Sequence, residues 1–308
     1  MAKYCYRLYG MKIETDLEFL QLVADDGGEA QIPVVTIAKA DVAQSVLMEQ
    51  KETGKNYVFG EKRSWLSNNT MWMVAENGNH IGYQLKEGGN PFYMQTFLLG
   101  YGMSMIALQR GLLPIHCSAV ADEKGAVLIA GESGSGKSTL TASLLEKGYR
   151  LMADDMALVE PKMGGITMVY PAFPYQKLCR NVVREKGCDF QNLIYINEEK
   201  DKFLVPCDGE FSLKAEKVKS FLMLGIHDGK DVSISEVRGI DRMYLYADNL
   251  FVRHLLKEEK YRPEIGQKCL EMAAAVPSYY LSRPGGKDST KEILKEAEKC
   301  IACAENGQ

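Results

Sequence analysis

The first part of the chain alternates between short apolar segments and turn signals, a pattern typical of β-structure. Apolar and polar positions alternate within each segment, and clusters such as Asp26–Gly28 and Glu87–Asn90 separate one segment from the next. This pattern predicts a β-rich N-terminal domain over residues 1–90. The predicted strands are Tyr4–Tyr9, Gln31–Ala38, Tyr57–Phe59, Met71–Val74 and Ile81–Gln84.

The pattern changes after residue 90. The stretch Pro91–Gln109 carries no formal charge, but its polar residues and glycines make it too polar for a lone membrane span, so it predicts a buried helix near Met94–Arg110. The apolar run Ala126–Ala130 then predicts a buried strand. A helix over Ser138–Lys147 and a strand-like segment over Arg150–Val159 follow it.

Further strands and helices alternate to the end of the chain, which predicts an α/β second domain over residues 91–308. The remaining predicted strands are near Phe221–Leu224, Val232–Glu236 and Ser278–Leu281, and the remaining predicted helices are near Ile240–Leu256, Pro263–Ala275 and Thr290–Ala304.

Composition narrows the class of protein. The 308 residues are 46% hydrophobic and 25% charged, which excludes a disordered chain and a coiled coil. The net charge of −4 argues against nucleic acid or an anionic membrane as the partner. Eight irregularly spaced cysteines and an N-terminus without the apolar core of a signal peptide predict a reduced, cytoplasmic protein.

The segment Gly131–Ser138, GESGSGKS, matches the phosphate-loop pattern G-x-x-x-x-G-K-[ST] and lies between a predicted strand and a predicted helix. Its glycines allow the backbone N–H groups to turn towards a phosphate, and the helix directs its positive end to the same place. Lys137 would bridge the β- and γ-phosphates, and Ser138 would bind Mg²⁺. A Gly/Ser-rich turn before an ordinary helix is the plainer alternative. The predicted nucleotide-binding residues are Gly131, Ser133, Gly134, Ser135, Gly136, Lys137, Ser138 and Thr139.

Two adjacent carboxylates, Asp154 and Asp155, follow Lys137 by 17 and 18 residues, at the carboxyl end of the next strand-like segment. Ligands of open α/β sheets bind at such strand ends. One carboxylate could hold Mg²⁺ while the other accepts a proton from an attacking hydroxyl, and partial burial of the pair is expected to raise their pKa values. The sequence leaves open which aspartate has which role, and a solvated turn residue beside one Mg²⁺ ligand is the alternative.

One histidine and four cations complete the candidates. His116 lies in the apolar run Leu112–Val120, 15 residues before Gly131, where a histidine is either a core residue or a catalytic one. Each cation could stabilise the charge of a transferring phosphoryl group or be merely solvated. These four are Lys177, Arg180, Lys202 and Arg283.

Together His116, the GESGSGKST loop and the Ala153–Asp155 step resemble the catalytic domain of bacterial HPr kinase/phosphorylase and its related kinases, including proteins that look like lasso-peptide serine kinases. The resemblance covers Pro114–Glu160. It implies a phosphoenolpyruvate carboxykinase-like core that uses ATP and Mg²⁺ to phosphorylate a serine hydroxyl. By the same resemblance Asp154 and Asp155 supply the base and the metal ligand, with Asp155 and Ser138 at the metal, and His116 assists them.

Two departures from the family bear on the substrate. Thr139 stands where HPr kinase usually has a glutamate, and the β-rich first domain is unlike its regulatory domain, so both argue against HPr itself. We therefore expect a peptide or small protein that carries a serine, recognised in part by the first domain. A kinase of a small metabolite such as free serine, and a non-catalytic ATP-binding module, remain alternatives. The oligomeric state and phosphorolysis stay open.

Overall fold

The computed structural model describes residues 3–28, 32–162, 164–185, 187–196, 201–207 and 211–306. An eight-stranded sheet is built from residues before 86, and a nine-stranded sheet and a three-stranded sheet are built from residues after 112. The chain is thus a mixed α/β protein, as the sequence predicts.

The elements of the first region are β1 (Tyr4–Leu8), β2 (Met11–Thr15), β3 (Val23–Ala24), β4 (Val34–Lys39), α1 (Ala43–Thr53), β5 (Tyr57–Val58), β6 (Arg63–Ser67), β7 (Met71–Glu76) and β8 (His80–Leu85). The strands form one sheet in the order β3-β1-β2-β4-β8-β7-β6-β5. The opening hairpin turns at Tyr9 and Gly10, which both have positive φ, at 53° and 69°. Positive φ at both central residues matches the twist of the flanking strands.

The predicted strands of this region coincide with β1, β4, β5, β7 and β8, with ends shifted by a few residues, and Gln31 lies outside the described residues. Strands β2, β3 and β6 were not predicted, nor was helix α1. Helix α1 buries only Val46 and ends where Gly54 adopts φ 66°. With so small a buried face, it carries little of the apolar periodicity that identifies a helix in sequence.

A continuous helical segment joins the two regions and confirms the predicted buried helix. It comprises α2 (Pro91–Phe97), a π-helical turn (Leu98–Gly102) and α3 (Met103–Gln109). Asn90 caps it by accepting hydrogen bonds from the N–H groups of Phe92 and Tyr93. Among the described residues, no helix combines the length and apolarity needed to cross a membrane.

The second region follows. Its strands are β9 (Leu113–Ile115), β10 (Cys117–Asp122), β11 (Gly125–Gly131), β12 (Arg150–Ala153), β13 (Ala157–Lys162), β14 (Ile166–Tyr170), β15 (Tyr175–Cys179), β16 (Ile194–Ile196), β17 (Lys202–Pro206), β18 (Glu216–His227), β19 (Ser233–Val237) and β20 (Ser278–Pro284). Its helices are α4 (Lys137–Glu146), α5 (Arg180–Glu185), α6 (Ile240–Asp248), α7 (Arg253–Leu256), α8 (Pro263–Ala275) and α9 (Thr290–Asn306).

Strand directions bring several chain segments to one edge of the large sheet. Strand β18 runs parallel to β11 and to β20. Strand β10 lies between β11 and β12 and is antiparallel to both, so β12 points the same way as β11. The carboxyl ends of β11, β12, β18 and β20 therefore meet the amino end of β10. The three-stranded sheet, in the order β15-β17-β16, contributes Lys177 above this edge.

Two predicted elements are wrong as continuous segments. The strand-like segment Arg150–Val159 breaks after Ala153 into β12 and β13, because Asp155 adopts a left-handed conformation at φ 72°. The predicted helix Ile240–Leu256 ends at Asp248 and resumes at Arg253. In both cases the break places polar residues beside the sheet edge just described.

The two regions share one hydrophobic core. A single cluster of buried side chains runs from the first sheet through the connecting helix into the second sheet. A second cluster packs α4 and α9 against the other face of the large sheet. All eight cysteines are free thiols, and Cys117, Cys269 and Cys300 are buried. Representative members of the shared core are Ile13, Met73, Met103, Leu113, Leu128, Phe221 and Tyr246.

Candidate functional site

The predicted phosphate loop joins β11 to α4. Gly134 and Gly136 have φ values of 85° and 104°, which an L side chain rarely adopts. Gly131 has no room for a side chain, since a Cβ there would lie 2.4 Å from Ser135 Oγ and 2.9 Å from the Leu224 carbonyl oxygen. The loop conformation therefore depends on glycine at all three positions.

The loop is held from β20 and contains one unsatisfied hydroxyl. Arg283 donates from Nε to the Ser135 carbonyl at 3.1 Å and from its terminal nitrogen to the Gly134 carbonyl at 2.7 Å. Within the described residues the buried Ser135 Oγ has no hydrogen-bond partner. Arg283, one of the four candidate cations, thus contacts the loop backbone and fixes its shape.

His116 lies between the loop lysine and the carboxylates. Lys137 Nζ donates to His116 Nε2 at 3.5 Å, and His116 Nδ1 lies 3.9 Å from Asp155 Oδ1. Burial, reinforced by the charge of Lys137, lowers the pKa of His116 to about 4. The ring is therefore neutral at pH 7, and the tautomer that accepts from Lys137 carries its proton on Nδ1, facing Asp155.

Asp155 lies close to two lysines. Burial by itself raises the pKa of its carboxyl, but the charges of Lys177 and Lys137 hold that pKa well below its ordinary value. Lys177 Nζ donates to Asp155 Oδ2 at 3.1 Å. The expectation that the aspartate pair raises its own pKa values is therefore wrong for Asp155, because nearby positive charge outweighs both burial and its neighbour.

Asp154 is hydrogen-bonded within the protein at both carboxylate oxygens. Ser118 Oγ donates to Oδ1 at 2.6 Å, and the backbone N–H of Lys177 donates to Oδ2 at 2.8 Å. Asp154 thereby ties the start of β10 and the middle of β15 to the end of β12. Sequence reasoning missed Ser118, which is fully buried two residues after His116.

The remaining predicted cations separate into two groups. Lys177 and Lys202 line the cavity at this site, and Lys202 also contributes to lowering the pKa values of His116 and Asp155. Arg180 instead pairs with Asp201 and packs over the ring of Phe203, 4.8 Å from its centroid. Arg180 therefore supports the small sheet.

These residues open into a cavity of about 1360 Å³. His116, Asp154, Asp155 and every predicted loop residue except Ser135 line it. The cavity also reaches residues that no motif indicated, from the first sheet, the π-helical turn and the break between α6 and α7. These include Tyr9, Asn68, Phe97, Tyr101, Phe251, Arg253 and His254.

Two oxygen ligands of the type that Mg²⁺ prefers, the Asp155 carboxylate and the Ser138 hydroxyl, line the same cavity. In the described part of the chain, no group of three or more His, Cys, Asp or Glu residues could hold a metal ion. Protein-bound Mg²⁺ is commonly held by one or two carboxylates and by substrate phosphates. The residues present therefore fit a metal that enters with a nucleotide.

Curated relatives resemble this chain at low identity. HPr kinase/phosphorylase of Neisseria meningitidis is 25% identical over 170 residues, which cover 55% of this chain and 47% of that protein. HPr kinase/phosphorylase of Xanthomonas euvesicatoria is 33% identical over 93 residues, which cover 29% of this chain and 23% of that protein. The chain thus spans about half the length of the first of these relatives, and less of the second.

Two further comparisons were made. The solved HPr(Ser) kinase/phosphatase from Coxiella burnetii aligns over 63% of this chain and 97% of its own, with 12% identity and a TM-score of 0.31, too low to bear on the fold. No protein-family model matches the sequence. The sequence relationships show that the chain is a distant relative of the HPr kinase/phosphorylases.

Proposed function

We propose that this distant relative of the HPr kinase/phosphorylases is an ATP- and Mg²⁺-dependent phosphotransferase that phosphorylates a serine hydroxyl on a peptide or small protein. The observation that carries the proposal is the position of His116, whose ring lies 3.5 Å from the Lys137 amine and 3.9 Å from the Asp155 carboxylate, although the three residues come from separate segments. A nucleotide-binding module without chemistry has no need of a histidine and a carboxylate beside its loop lysine.

The phosphate loop would bind the nucleotide. Its backbone N–H groups and the amino end of α4 suit the α- and β-phosphates, and Ser133, Gly134, Gly136 and Thr139 line the same surface. The Lys137 ammonium would reach the β- and γ-phosphates. Because neutral His116 accepts a hydrogen bond from Lys137, it directs the ammonium without adding a competing positive charge.

The two aspartates would have different roles, one at the reacting groups and one in positioning the other. Asp155 faces Lys137 and His116, so it is placed to contact the metal or the attacking hydroxyl. Asp154 has both oxygens engaged by Ser118 and the Lys177 backbone, so it holds the strand end that carries Asp155. When bound, Mg²⁺ would neutralise charge on the phosphoryl group, with Asp155 and Ser138 as its protein ligands.

The size and the lining of the cavity favour a peptide or protein acceptor over a free amino acid. Drug-sized ligand pockets measure roughly 300–1,000 Å³, and this one is larger, at about 1360 Å³. Part of its wall comes from the first sheet and the connecting helix, which supports the expected role of the first region in substrate recognition.

The test is an assay in which mass spectrometry detects the transfer of one phosphoryl group. Purified protein is incubated with ATP and Mg²⁺ and with serine-bearing peptides, HPr or free serine, and Lys137→Ala serves as the inactive control. A gain of one phosphoryl mass on a peptide, absent with the control, is the expected result. Transfer to free serine alone would replace the peptide acceptor by a small metabolite. Tight ATP binding with no transfer to any acceptor would overturn the kinase proposal.

A further inference from the structure

Four of the aromatic rings that line the cavity beyond the phosphate loop form what we call the aromatic wall: Phe97, Tyr101, Phe251 and His254. Tyr101 lies at its centre. Ring centroids are 5.6 Å apart for Phe97 and Tyr101, 5.8 Å for Tyr101 and Phe251, and 6.1 Å for Tyr101 and His254. The Tyr101 hydroxyl is also 3.4 Å from His254 Nε2. These contacts fix the rings against one another.

Tyr101 belongs to the π-helical turn Leu98–Gly102. Such turns are uncommon, and they occur frequently at functional sites because they redirect side chains within a helix. Gly100, in the same turn, faces the Phe251 ring, and a Cβ at that position would meet the ring in ordinary van der Waals contact at 3.4 Å. The turn therefore places a tyrosine in the cavity wall and a residue that packs against Phe251 beside it.

The aromatic wall begins beside His116, at the lysine end of the phosphate loop. Phe251 lies 5.9 Å from the His116 ring, and His116 contacts the amine of Lys137. In phosphate loops this amine reaches the β- and γ-phosphates. The wall therefore begins at the γ-phosphate end, where the acceptor must enter, and not at the nucleoside end near Thr139.

The lining around the wall is mostly uncharged. Apart from the loop with Arg283 bound to it, the carboxylates and the small sheet, Arg253 is the one lining residue of the described chain that carries a full charge. Burial lowers the pKa of His254, so that ring is neutral at pH 7. The neighbouring polar side chains are amides, hydroxyls and a phenol: Gln21, Asn68, Asn69, Thr70, Tyr93 and Thr96.

Apolar surface continues outside the cavity. Leu20 and Phe92 are 66% and 69% exposed, and their sequence neighbours Gln21 and Tyr93 line the cavity. Gln95 Nε2 donates to the Glu18 carbonyl at 3.2 Å, which holds the Leu20 loop against the start of α2. A free amino acid is too small to use this surface, whereas the residues that flank a serine in a peptide could reach it.

We propose that the aromatic wall is the acceptor subsite and that it selects a serine flanked by an aromatic or large aliphatic residue in a peptide. This inference rests on the proposed function and names its substrate class. The wall packs the flanking side chain, and the serine hydroxyl then lies at the His116 end, beside Asp155. Burial of one such side chain contributes about 1.5–3 kcal/mol, which corresponds to roughly a tenfold to hundredfold gain in affinity.

Direct binding tests the subsite independently of catalysis. Fluorescence anisotropy measures the affinity of labelled short peptides for the full chain in the presence of Mg²⁺ and a non-hydrolysable ATP analogue. The peptides carry alanine in place of the acceptor serine and differ only in the flanking residue, which is phenylalanine or alanine. Tyr101→Leu and Phe251→Leu remove rings but keep apolar volume, and Tyr244→Leu is the control, at a half-exposed tyrosine outside the cavity.

We expect the phenylalanine-flanked peptide to bind the wild-type chain at least about tenfold more tightly than the alanine-flanked one. In Tyr101→Leu and Phe251→Leu this preference should fall to within about twofold, with affinity for the ATP analogue unchanged. The control should keep the preference, and equal melting temperatures exclude misfolding as the cause.

Two results would overturn the inference. The first is equal binding of the two peptides to the wild-type chain. The second is loss of ATP-analogue affinity in both wall variants, which would assign the rings to the nucleotide base. The proposed function fails separately: if serine peptides bind with the expected preference but receive no phosphoryl group, the subsite stands and the kinase does not. If serine peptides are phosphorylated but the phenylalanine-flanked peptide binds no more tightly than the alanine-flanked one, the kinase proposal stands and the subsite does not.

Discussion

The two ends of the cavity are built in opposite ways. At the end that we assign to the phosphates, Lys137, Asp155 and His116 belong to a stretch of forty residues and are charged or polar. At the end that we assign to the acceptor, Tyr101 and Phe251 are separated by 150 residues and are aromatic. The first end is formed where neighbouring strands of one sheet begin or end. The second end depends on a π-helical turn and on a break between two helices.

Under the proposed function, the first end would constrain the chemistry and the second end the choice of substrate. Phosphoryl transfer depends on charges placed to within a fraction of an ångström, and short connections between paired strands supply that rigidity. Recognition of an acceptor depends on shape and apolar area, which residues from distant segments can supply. The predictions that follow test this division, in decreasing order of expected effect.

Lys137→Ala should give the largest loss, because it removes the ammonium that we assign to the β- and γ-phosphates. We expect kcat/KM to fall by at least about 10³-fold. Phosphoryl transfer to a serine peptide, measured by mass spectrometry, checks this. Lys147→Ala is the matched control. Lys147 is an exposed lysine just beyond the end of the same helix, and its Nζ pairs with Glu298 Oε1 at 3.0 Å. Comparable losses in both variants would contradict the assignment.

Asp155→Asn should reduce kcat by roughly 10²–10³-fold while leaving affinity for ATP within about threefold, because the carboxylate acts on the reacting groups. Steady-state kinetics and nucleotide titration separate the two effects. Asp154→Asn is the matched comparison: it weakens the contacts to Ser118 and Lys177 and should lower the free energy of unfolding by about 1–2 kcal/mol. A larger loss of kcat in Asp154→Asn would exchange the two roles.

Arg283→Gln should weaken ATP binding by about tenfold, since Arg283 holds two loop carbonyls through charge-assisted hydrogen bonds. Isothermal titration with an ATP analogue measures the loss. Arg238→Gln is the control at an exposed arginine that pairs with Glu236. If Arg283 contacted phosphate directly during transfer, kcat would fall as well, and we expect kcat to change less than affinity.

Tyr101→Phe should have the smallest effect, at most about twofold on peptide affinity, because the ring remains and only the contact to His254 is lost. The peptide-binding measurement described above detects it. A loss as large as that of Tyr101→Leu would show that a polar contact, rather than the apolar face of the ring, binds the acceptor.

The fold could be predicted where local pattern and tertiary environment agree. The apolar run Ala126–Ala130 became a buried strand, and Pro263–Ala275 is helical over the predicted range. Prediction failed where a residue with an unusual backbone conformation interrupts an apolar segment. Asp155 at φ 72° divides Arg150–Val159, and periodicity gives no sign of such a break.

The cytoplasmic location and the serine-bearing acceptor stay predictions. For the candidate site, the motif predicted the glycines, Lys137 and Ser138 as a phosphate loop, because such a loop is a local structure whose residues are close in sequence. No comparable signal marked Ser118 or Phe251, whose positions follow from strand pairing and from the packing of distant segments.

The sequence by itself determined the α/β class, the strand–loop–helix around Gly131–Ser138 and the presence of two carboxylates near it, because each depends on short-range pattern and backbone geometry. Only the tertiary structure decided that cations lower the pKa of Asp155, that Asp154 is tied to Ser118 and Lys177, and that Arg283 supports the loop. Charge interactions and hydrogen bonds depend on distances in space, and the directions of β10, β11, β12 and β20 set those distances.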